Sequence, residues 1–161
     1  MSVEINENEN YCPDCGAEVQ GGEEGCNDLF QEVIAREFSD FRYGRVHRMT
    51  VDAYALQHSA RYMKSFTSHA AHLTGLCWAF EYEGSQNIGR LLKNWYDSKP
   101  DKQKLPEPES RGKMTVVDIY NAKDAEEHTE LVHRWAGDAW ETWADHHDII
   151  RSWVKEAIGE K

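Results

Sequence analysis

Three cysteines close to the amino end have residue types and a spacing that point to metal chemistry. Cys12 and Cys15 are separated by two residues in the string Cys-Pro-Asp-Cys-Gly, and ten further residues separate Cys15 from Cys26. Two thiols at this spacing, followed by Gly16, favour a tight turn in which both sulfurs face one ion. Zinc knuckles bind tetrahedral Zn²⁺ in this way, with Zn–S distances of about 2.3 Å. The pattern therefore predicts a zinc site that lacks one ligand, and the chain has eight histidines that could supply it.

Two other interpretations of the cysteines compete with zinc. A redox Cys-x-x-Cys pair normally sits at a strand-to-helix junction, whereas an acidic, Asn-rich segment precedes Cys12. Three unrelated thiols are the other alternative. A disulfide framework is not expected, because no signal-peptide pattern is seen and Cys77 lies in an apolar helical segment.

The first helix is predicted to begin directly after the third cysteine. Asn27 or Asp28 can cap its N-terminus, and apolar residues follow at helical spacing. Cys26 would then lie at the helix start, where unpaired N–H groups and the positive end of the helix dipole favour a thiolate. This position supports Cys26 as a ligand independently of its spacing.

The fourth ligand is predicted from the lengths of the first two helices. Thr50 is expected to cap a second helix that runs to about His58, and a loop over 39–49 joins the two helices as an antiparallel pair. At about 1.5 Å of rise per residue, the end of the second helix returns to the start of the first, near Cys26. His58 is therefore the predicted fourth ligand, with His47 and His69 as the next candidates.

The rest of the chain carries helical periodicity and no convincing strand pattern. We expect helices over about 65–83 and after Ser85, a surface loop over 98–113, a short turn capped by Thr115, and one long final helix over about 124–158. Residues 1–10 are expected to form a disordered acidic leader and residues 11–161 a single helical domain, in which 11–26 form the zinc-knuckle loop. The predicted fold class is all-α, a compact helical bundle.

A second group of polar side chains lies on the apolar faces of the predicted helices. His69 and His72 are three residues apart, so both rings could reach one ion or substrate, and Asp52 and His147 could converge on them from other helices. Buried titratable groups are costly unless they are paired or liganded, which favours a catalytic or metal site. The competing interpretation is ordinary core hydrogen bonding, such as His72 with Asp52 or His147 with Tyr54. The tryptophans of the final helix are expected to be core residues.

The formal net charge of −11 argues against tight binding to nucleic acid, which depends on Lys and Arg contacts to phosphates. Arg42, Arg45 and Arg48 form a small basic patch that could bind an anionic ligand, although such a run usually just solvates a loop. No apolar run reaches membrane-spanning length. We expect a cytoplasmic protein with no membrane partner.

Four strings resemble a family of small, mainly bacterial proteins classed only as a domain of unknown function. The resemblance spans most of the chain and carries no established activity. It implies that Asp52, Gln57, His58 and His72 belong to one constellation. The strings are Cys12-Pro13-x-Cys15-Gly16 with Cys26; His47-x-x-Thr50-Val51-Asp52-Ala53-Tyr54-x-x-Gln57-His58; Ser68-x-x-x-His72-Leu73-x-x-Leu76-Cys77; and Trp135-x-x-x-x-Trp140-x-x-Trp143-x-x-His146-His147.

These features lead to a ranked set of functional hypotheses. The first is a zinc-stabilised binding or adaptor protein, whose partner is another protein or a small molecule and whose Cys12, Cys15, Cys26 and His58 hold a structural zinc. The alternative is a metal-dependent hydrolase-like enzyme that uses Asp52, His69, His72 and His147, with an ion-bound water as nucleophile. A third is a zinc- or redox-responsive sensor, in which Cys26 would react readily with thiol reagents.

Overall fold

The computed structural model describes residues 7–82, 88–99 and 101–159, and the regular structure within these ranges is helical. The predicted all-α class is confirmed there, with one isolated bridge between Tyr11 and Glu18 as the exception. Two 3₁₀ turns, Glu7–Asn10 and Ala144–His146, accompany the helices. The α-helices are α1 (Gly22–Ser39), α2 (Phe41–Gly44), α3 (His47–Gln57), α4 (Ser59–Tyr62), α5 (Phe66–Glu81), α6 (Gly89–Asp97), α7 (Val116–Tyr120), α8 (Ala125–Glu141) and α9 (His147–Ile158).

Helix α3 lies at the centre of the bundle. It packs against α5 and α8, and it also contacts α1 and the short α4 that follows it. Helix α5 contacts α6 and α9 as well, so it is covered on both faces. Trp135 and Trp143 are fully buried, and Trp140 and Trp153 nearly so. The tryptophans of the C-terminal part are therefore core residues, as predicted.

Side-chain caps fix the starts of α5, α7 and α8, as well as that of the short α2. Ser65 and Ser68 form a reciprocal capping box at α5, and Thr115 and Asp118 form another at α7. Asp124 caps α8 by accepting a hydrogen bond from the backbone N–H of Glu127. The predicted cap at Thr115 is confirmed. Such local signals depend on neighbours in the sequence, so they can be read without the fold.

The predicted start of α1 at Asn27 or Asp28 is wrong by more than one turn, because the helix begins at Gly22. Gly21 precedes it with a φ of 93°, a left-handed conformation that glycine adopts readily and that turns the chain from the knuckle into the helix. Cys26 therefore lies in the second turn of α1. The argument from free N–H groups at the helix start does not apply to its sulfur.

Thr50 does not cap α3, which begins at His47. Its hydroxyl instead donates to the Oε2 of Glu37 at 2.6 Å, and Glu37 also accepts hydrogen bonds from His47 Nδ1 at 3.0 Å and His128 Nε2 at 2.8 Å. The side chains of Glu37 and His128 are both fully buried. One carboxylate thus ties α1 to α3 and α8, and three donors offset the cost of burying it.

The single final helix that the sequence predicts is interrupted between Glu141 and His147. The His147 ring stacks on the Trp140 ring at 3.9 Å, and its Nε2 donates to the Trp140 carbonyl at 2.9 Å. It thereby adds a donor to a carbonyl in the last turn of α8, where helical partners run out. The expected bond between His147 and Tyr54 is not formed. Apolar spacing continues across the break, which is why the sequence reads as one helix.

The long loop after α6 is held by side chains from the helices beneath it. Gln57 donates from Nε2 to the carbonyls of Arg111 at 2.9 Å and Met114 at 2.7 Å, and its Oε1 accepts from Trp135 Nε1 at 3.0 Å. Asp138 accepts from the backbone N–H of Met114 at 2.9 Å. The buried side-chain amide of Gln57 therefore uses its donors and its acceptor to join the loop to α3 and α8.

Part of the expected leader is structured. Residues 7–10 form a 3₁₀ turn, in which the Glu9 carbonyl accepts from Gly21 N–H at 2.7 Å and the Asn10 carbonyl accepts from Val19 N–H at 3.0 Å. The turn therefore lies against the start of α1. Residues 1–6 lie outside the described ranges, as do Ser85 and residue 83, the predicted end of the third helix.

We expect Thr50→Val to lower the free energy of unfolding by about 1.5–3 kcal/mol, because it removes a hydrogen bond to a buried charge. Thr74→Val is the matched control, since Thr74 is also fully buried in a helix but bonds only to the Ala70 carbonyl among described residues. The control should lose about 1 kcal/mol or less. Urea unfolding followed by circular dichroism measures both. Equal losses would contradict the role given to Glu37.

Candidate metal centre

Local backbone turns place the first two cysteines. The Cys12 carbonyl accepts a hydrogen bond from Gly16 N–H at 2.9 Å, and the Cys12 N–H donates to the Ala17 carbonyl at 2.8 Å. Gly16 has a φ of 78°, which a residue with a Cβ adopts at a cost. This tight turn brings the Cys12 and Cys15 sulfurs to the same side. Cys26 comes from α1, and His58 is the C-cap residue directly after α3.

Three of the distances between the four ligand atoms match the edges of a tetrahedron around a metal, and all four atoms lie within 4.8 Å of one another. His58 Nε2 is 3.5 Å from the sulfur of Cys12 and 3.5 Å from that of Cys26, and the sulfurs of Cys15 and Cys26 are 3.8 Å apart. Metal–sulfur distances of about 2.3 Å and a metal–nitrogen distance of about 2.0–2.1 Å give S–S edges of about 3.8 Å and S–N edges of about 3.5 Å. The three cysteines are unpaired thiols. This Cys₃His group could therefore hold a metal ion.

Burial and tautomer also suit a metal ligand set. The exposed fractions are 1% for Cys12, 8% for Cys15, 0% for Cys26 and 2% for His58. The Nδ1 of His58 donates to the Tyr54 carbonyl at 2.7 Å, which orients the ring with Nε2 towards the sulfurs as the atom available to bind a metal. Metal-bound histidines commonly have their second nitrogen fixed in this way.

The four groups perturb one another's protonation. Hydrogen bonds from the Cys15 and Cys26 side chains hold the pKa of Cys12 well below its usual range, although burial opposes them. Burial also acts to lower the pKa of His58, but the sulfurs of Cys12 and Cys26 outweigh it and raise that pKa to about 9. The pKa of Cys15 is raised by its hydrogen bonds to Cys12 and Cys26 and by burial. Of Cys12 and Cys15, Cys12 is therefore the stronger acid in the metal-free cluster.

Tyr54 packs against two of the four ligands, His58 and Cys26. Its ring lies between the rings of Phe30 and His58, with centroids 3.8 Å away on both sides and interplanar angles of 3° and 17°. Its hydroxyl lies 3.4 Å from the Cys26 sulfur. Burial, followed by the hydrogen bond with Cys26, raises the pKa of Tyr54, so the hydroxyl keeps its proton and can donate.

Of the three histidines considered as the fourth ligand, the structure brings His58 to the sulfurs. His47 pairs with Glu37, and the Nε2 of His69 accepts from Leu105 N–H at 3.1 Å. The antiparallel geometry of α1 and α3 thus leads to His58 as predicted, even though α1 starts earlier than expected. Cys26, which a redox-responsive centre would need to expose, is the most deeply buried of the ligands.

The second predicted constellation does not form a shared site among the described residues. The expected pair of His72 and Asp52 is present, with His72 Nδ1 donating to Asp52 at 2.8 Å, and Arg48 Nε donates to the other oxygen at 3.2 Å. His69 instead lies against Trp143 and bonds to the loop, and His147 bonds within the break between α8 and α9. Each group has a separate local partner, so a joint catalytic role for these residues stays a prediction without geometric support.

The implied association of Asp52, Gln57, His58 and His72 is likewise not a single cluster. Asp52 and His72 join α3 to α5, Gln57 holds the loop, and His58 faces the sulfurs. The four side chains share α3 and its neighbour rather than one site. Their common feature is that they join α3 to neighbouring segments, Asp52 with His72 to α5, Gln57 to the loop and His58 to the cysteines.

The hydrogen bonds of Glu37 with His47, Thr50 and His128 were not predicted from the sequence. The spacing of His47 and Thr50 on one helical face was their only signal. Glu37 lies before a chain reversal and His128 lies 91 residues after it, so nothing local relates them. The placement of Tyr54 against Cys26 was missed for the same reason, since the two residues are 28 apart.

The three arginines of the predicted basic patch have separate partners. Arg42 pairs with Asp40 at 2.7 Å, Arg45 lies over the Phe41 ring at 5.4 Å, and Arg48 bonds to Asp52. A groove of about 710 Å³ lies between α2 and α8, where Arg42 and Arg45 face an acidic wall that includes Asp124, Glu126 and Glu130. The groove does not touch the metal centre, and the mixed charge does not favour a simple anion site.

Comparison with known proteins identifies the class of this chain. The model of a family of unknown function (DUF5946) matches residues 10–144, and the chain belongs to this family. No curated protein and no solved structure matches the chain. Among the described helices, none is both long and apolar enough to cross a membrane. The resemblance noted in the sequence is therefore confirmed at the level of the family.

We expect Gly75→Ala to destabilise the protein by about 1–3 kcal/mol, although alanine favours helices. A Cβ at Gly75 would overlap Asp52 Oδ2, which is buried and accepts from Arg48 Nε, while His72 holds the other oxygen of the same carboxylate. Gly137→Ala is the matched control, because a Cβ there would meet only Phe80 at ordinary contact distance. It should raise stability by about 0.5–1 kcal/mol. Urea unfolding of both variants tests this, and a stabilised Gly75→Ala would show that Asp52 is free to move.

We expect His69 to make stability fall in acid. Burial, followed by the charge of Lys104, lowers the pKa of His69 from 6.5 to about 4. The unfolded chain therefore binds this proton first, so the contribution of neutral His69 is present above pH 6.5 and is lost as the pH falls through 4. Between these values, unfolding free energy in wild type should fall about 1.4 kcal/mol per pH unit more steeply than in His69→Gln. Parallel curves from urea titrations at each pH would refute this.

Proposed function

We propose that Cys12, Cys15, Cys26 and His58 bind one Zn²⁺. Three thiolates and one imidazole form a soft, tetrahedral donor set that suits zinc. The supporting distances are the S–S separation of 3.8 Å and the S–N separations of 3.5 Å. The fixed tautomer of His58 adds to them.

The role of this zinc is structural. A catalytic zinc has three protein ligands and keeps a fourth position for water or substrate, whereas a structural zinc is surrounded by four protein ligands. Here four protein ligands are present, and each has an exposed fraction of 8% or less. This closed, buried set is the observation that carries the proposal. The ion would join the knuckle loop to α1 and to the end of α3.

With its metal closed to substrate, the protein acts through its surface, as a binding or adaptor protein for another protein or a small molecule. The reduced thiols that the centre needs are maintained in the cytoplasm, which is the proposed location. The hydrolase alternative needs a second metal group, and the Cys₃His set is the one such group within the described ranges. Asp52 and His72 then serve the packing of α3 on α5.

Metal analysis of purified, reduced protein tests the zinc site. We expect one zinc per chain in wild type and in His72→Ala, whereas His58→Ala should bind zinc at least about 100-fold more weakly. His58→Cys restores a four-ligand set and should retain the ion. Its retention separates loss of a ligand from general misfolding.

Chelation supplies a second readout on the wild type alone. Because metal binding and folding are coupled, removal of zinc should lower the Tm by about 10 °C or more. A protein that is metal-free as purified, or that melts at the same temperature after zinc is removed, would contradict the proposed function.

A further inference from the structure

We infer that the Tyr54 hydroxyl is a positioning group for the metal centre, which stabilises the Cys26 thiolate by a hydrogen bond and thereby strengthens metal binding. The inference rests on the proposed zinc function and adds a residue outside the ligand set. It starts from the 3.4 Å separation between the Tyr54 hydroxyl and the Cys26 sulfur. Both residues are almost fully buried, so water does not replace this contact.

The three sulfurs differ in the donors that their local backbone offers. The backbone of Cys15 hydrogen-bonds to the Cys12 sulfur, and the backbone of Ala17 hydrogen-bonds to the Cys15 sulfur. These donors come from the tight knuckle turn. Cys26 lies inside α1, where the following N–H groups are used by the helix itself. A side chain must therefore supply the donor that the knuckle backbone gives to the other two sulfurs, and Tyr54 is placed to do so.

The hydroxyl is held in place by its ring. Phe30 and His58 cover the two faces of Tyr54, and Tyr62 and Trp135 contact it edge-on at 5.7 Å and 6.5 Å between centroids. The ring has no room to rotate away from Cys26. Such a fixed donor contributes to metal affinity because it does not need to be ordered when the ion binds.

The chemical consequence follows from charge. Three thiolates on one divalent ion leave a net charge of −1 in a buried site, and hydrogen bonds to thiolates offset that charge. A hydrogen bond also lowers the energy of the sulfur lone pairs. Loss of the donor should therefore weaken metal binding and make electron transfer from sulfur to metal easier, which moves sulfur-to-metal charge-transfer absorption to longer wavelength.

Tyr54→Phe removes the hydroxyl and keeps the stacked ring. Tyr62→Phe is the matched control, because Tyr62 lies beside Tyr54 and its hydroxyl accepts from Asn27 Nδ2 at 2.9 Å instead of contacting a sulfur. We expect Tyr54→Phe to bind zinc about 10-fold more weakly in chelator competition. The charge-transfer band of its Co²⁺ form should shift to longer wavelength. Tyr62→Phe removes the hydroxyl of a partly buried tyrosine that does not contact a sulfur, and it should match wild type in both measurements. A general effect of losing a tyrosine hydroxyl would instead appear in both variants.

The outcomes separate this inference from the proposed function. A wild type without bound metal would overturn the zinc site itself. If wild type and Tyr54→Phe each bind one metal with the same affinity and give the same Co²⁺ spectrum, the role of Tyr54 is overturned while the zinc site stands. If Tyr54→Phe does not fold, NMR on wild type loaded with a magnetic cadmium isotope decides. Scalar coupling between cadmium and the Tyr54 hydroxyl proton supports the hydrogen bond, and its absence overturns it.

Discussion

The convergence of three sulfurs and one imidazole is the contact on which the N-terminal third of this fold depends. Cys12 and His58 are 46 residues apart, and their side chains meet at 3.5 Å. The knuckle loop has few apolar side chains of its own, so its position is fixed by these ligands and by backbone bonds to residues 7–10. A metal bound here would replace the hydrophobic burial that such a short loop cannot supply.

Helix α3 connects this group of four ligands to the rest of the bundle. One face carries Tyr54 and leads to His58, another carries Thr50 towards Glu37, a third carries Asp52 towards α5, and Gln57 holds the loop. Each of these polar groups is buried, and together they bond α3 to α1, to α5 and to the loop. A core of apolar residues alone would specify packing density, whereas these paired groups specify which helix lies on which face.

The features that the sequence predicted depend mostly on residues close together in the chain, whereas the features that it missed depend on side-chain contacts that leave no local pattern. The knuckle turn needs only residues 12–16, and the cap at Thr115 needs only the next three residues, so both could be read locally. His58 could be placed because two helices and a short connection define an antiparallel pair. The tie between Glu37 and His128 depends on a contact across 91 residues, and the break before His147 depends on the Trp140 side chain. Neither leaves a periodic signal, because the apolar spacing is the same with or without it.

The pKa shifts within the cluster show how its four groups could exchange protons for a metal ion. In the metal-free protein, the Cys12 thiolate faces a His58 whose pKa is raised to about 9, while the pKa of Cys15 is raised. The Cys12 thiol and the His58 ring thus favour an ion pair across 3.5 Å, and protons held on the cluster compete with a metal for the same atoms. A divalent ion would displace those protons and engage all four atoms, and its binding energy would pass into folding because the unfolded chain offers no such set. The ligand atoms already stand at separations of 3.5 Å and 3.8 Å, so little rearrangement would be needed for them to bind the ion.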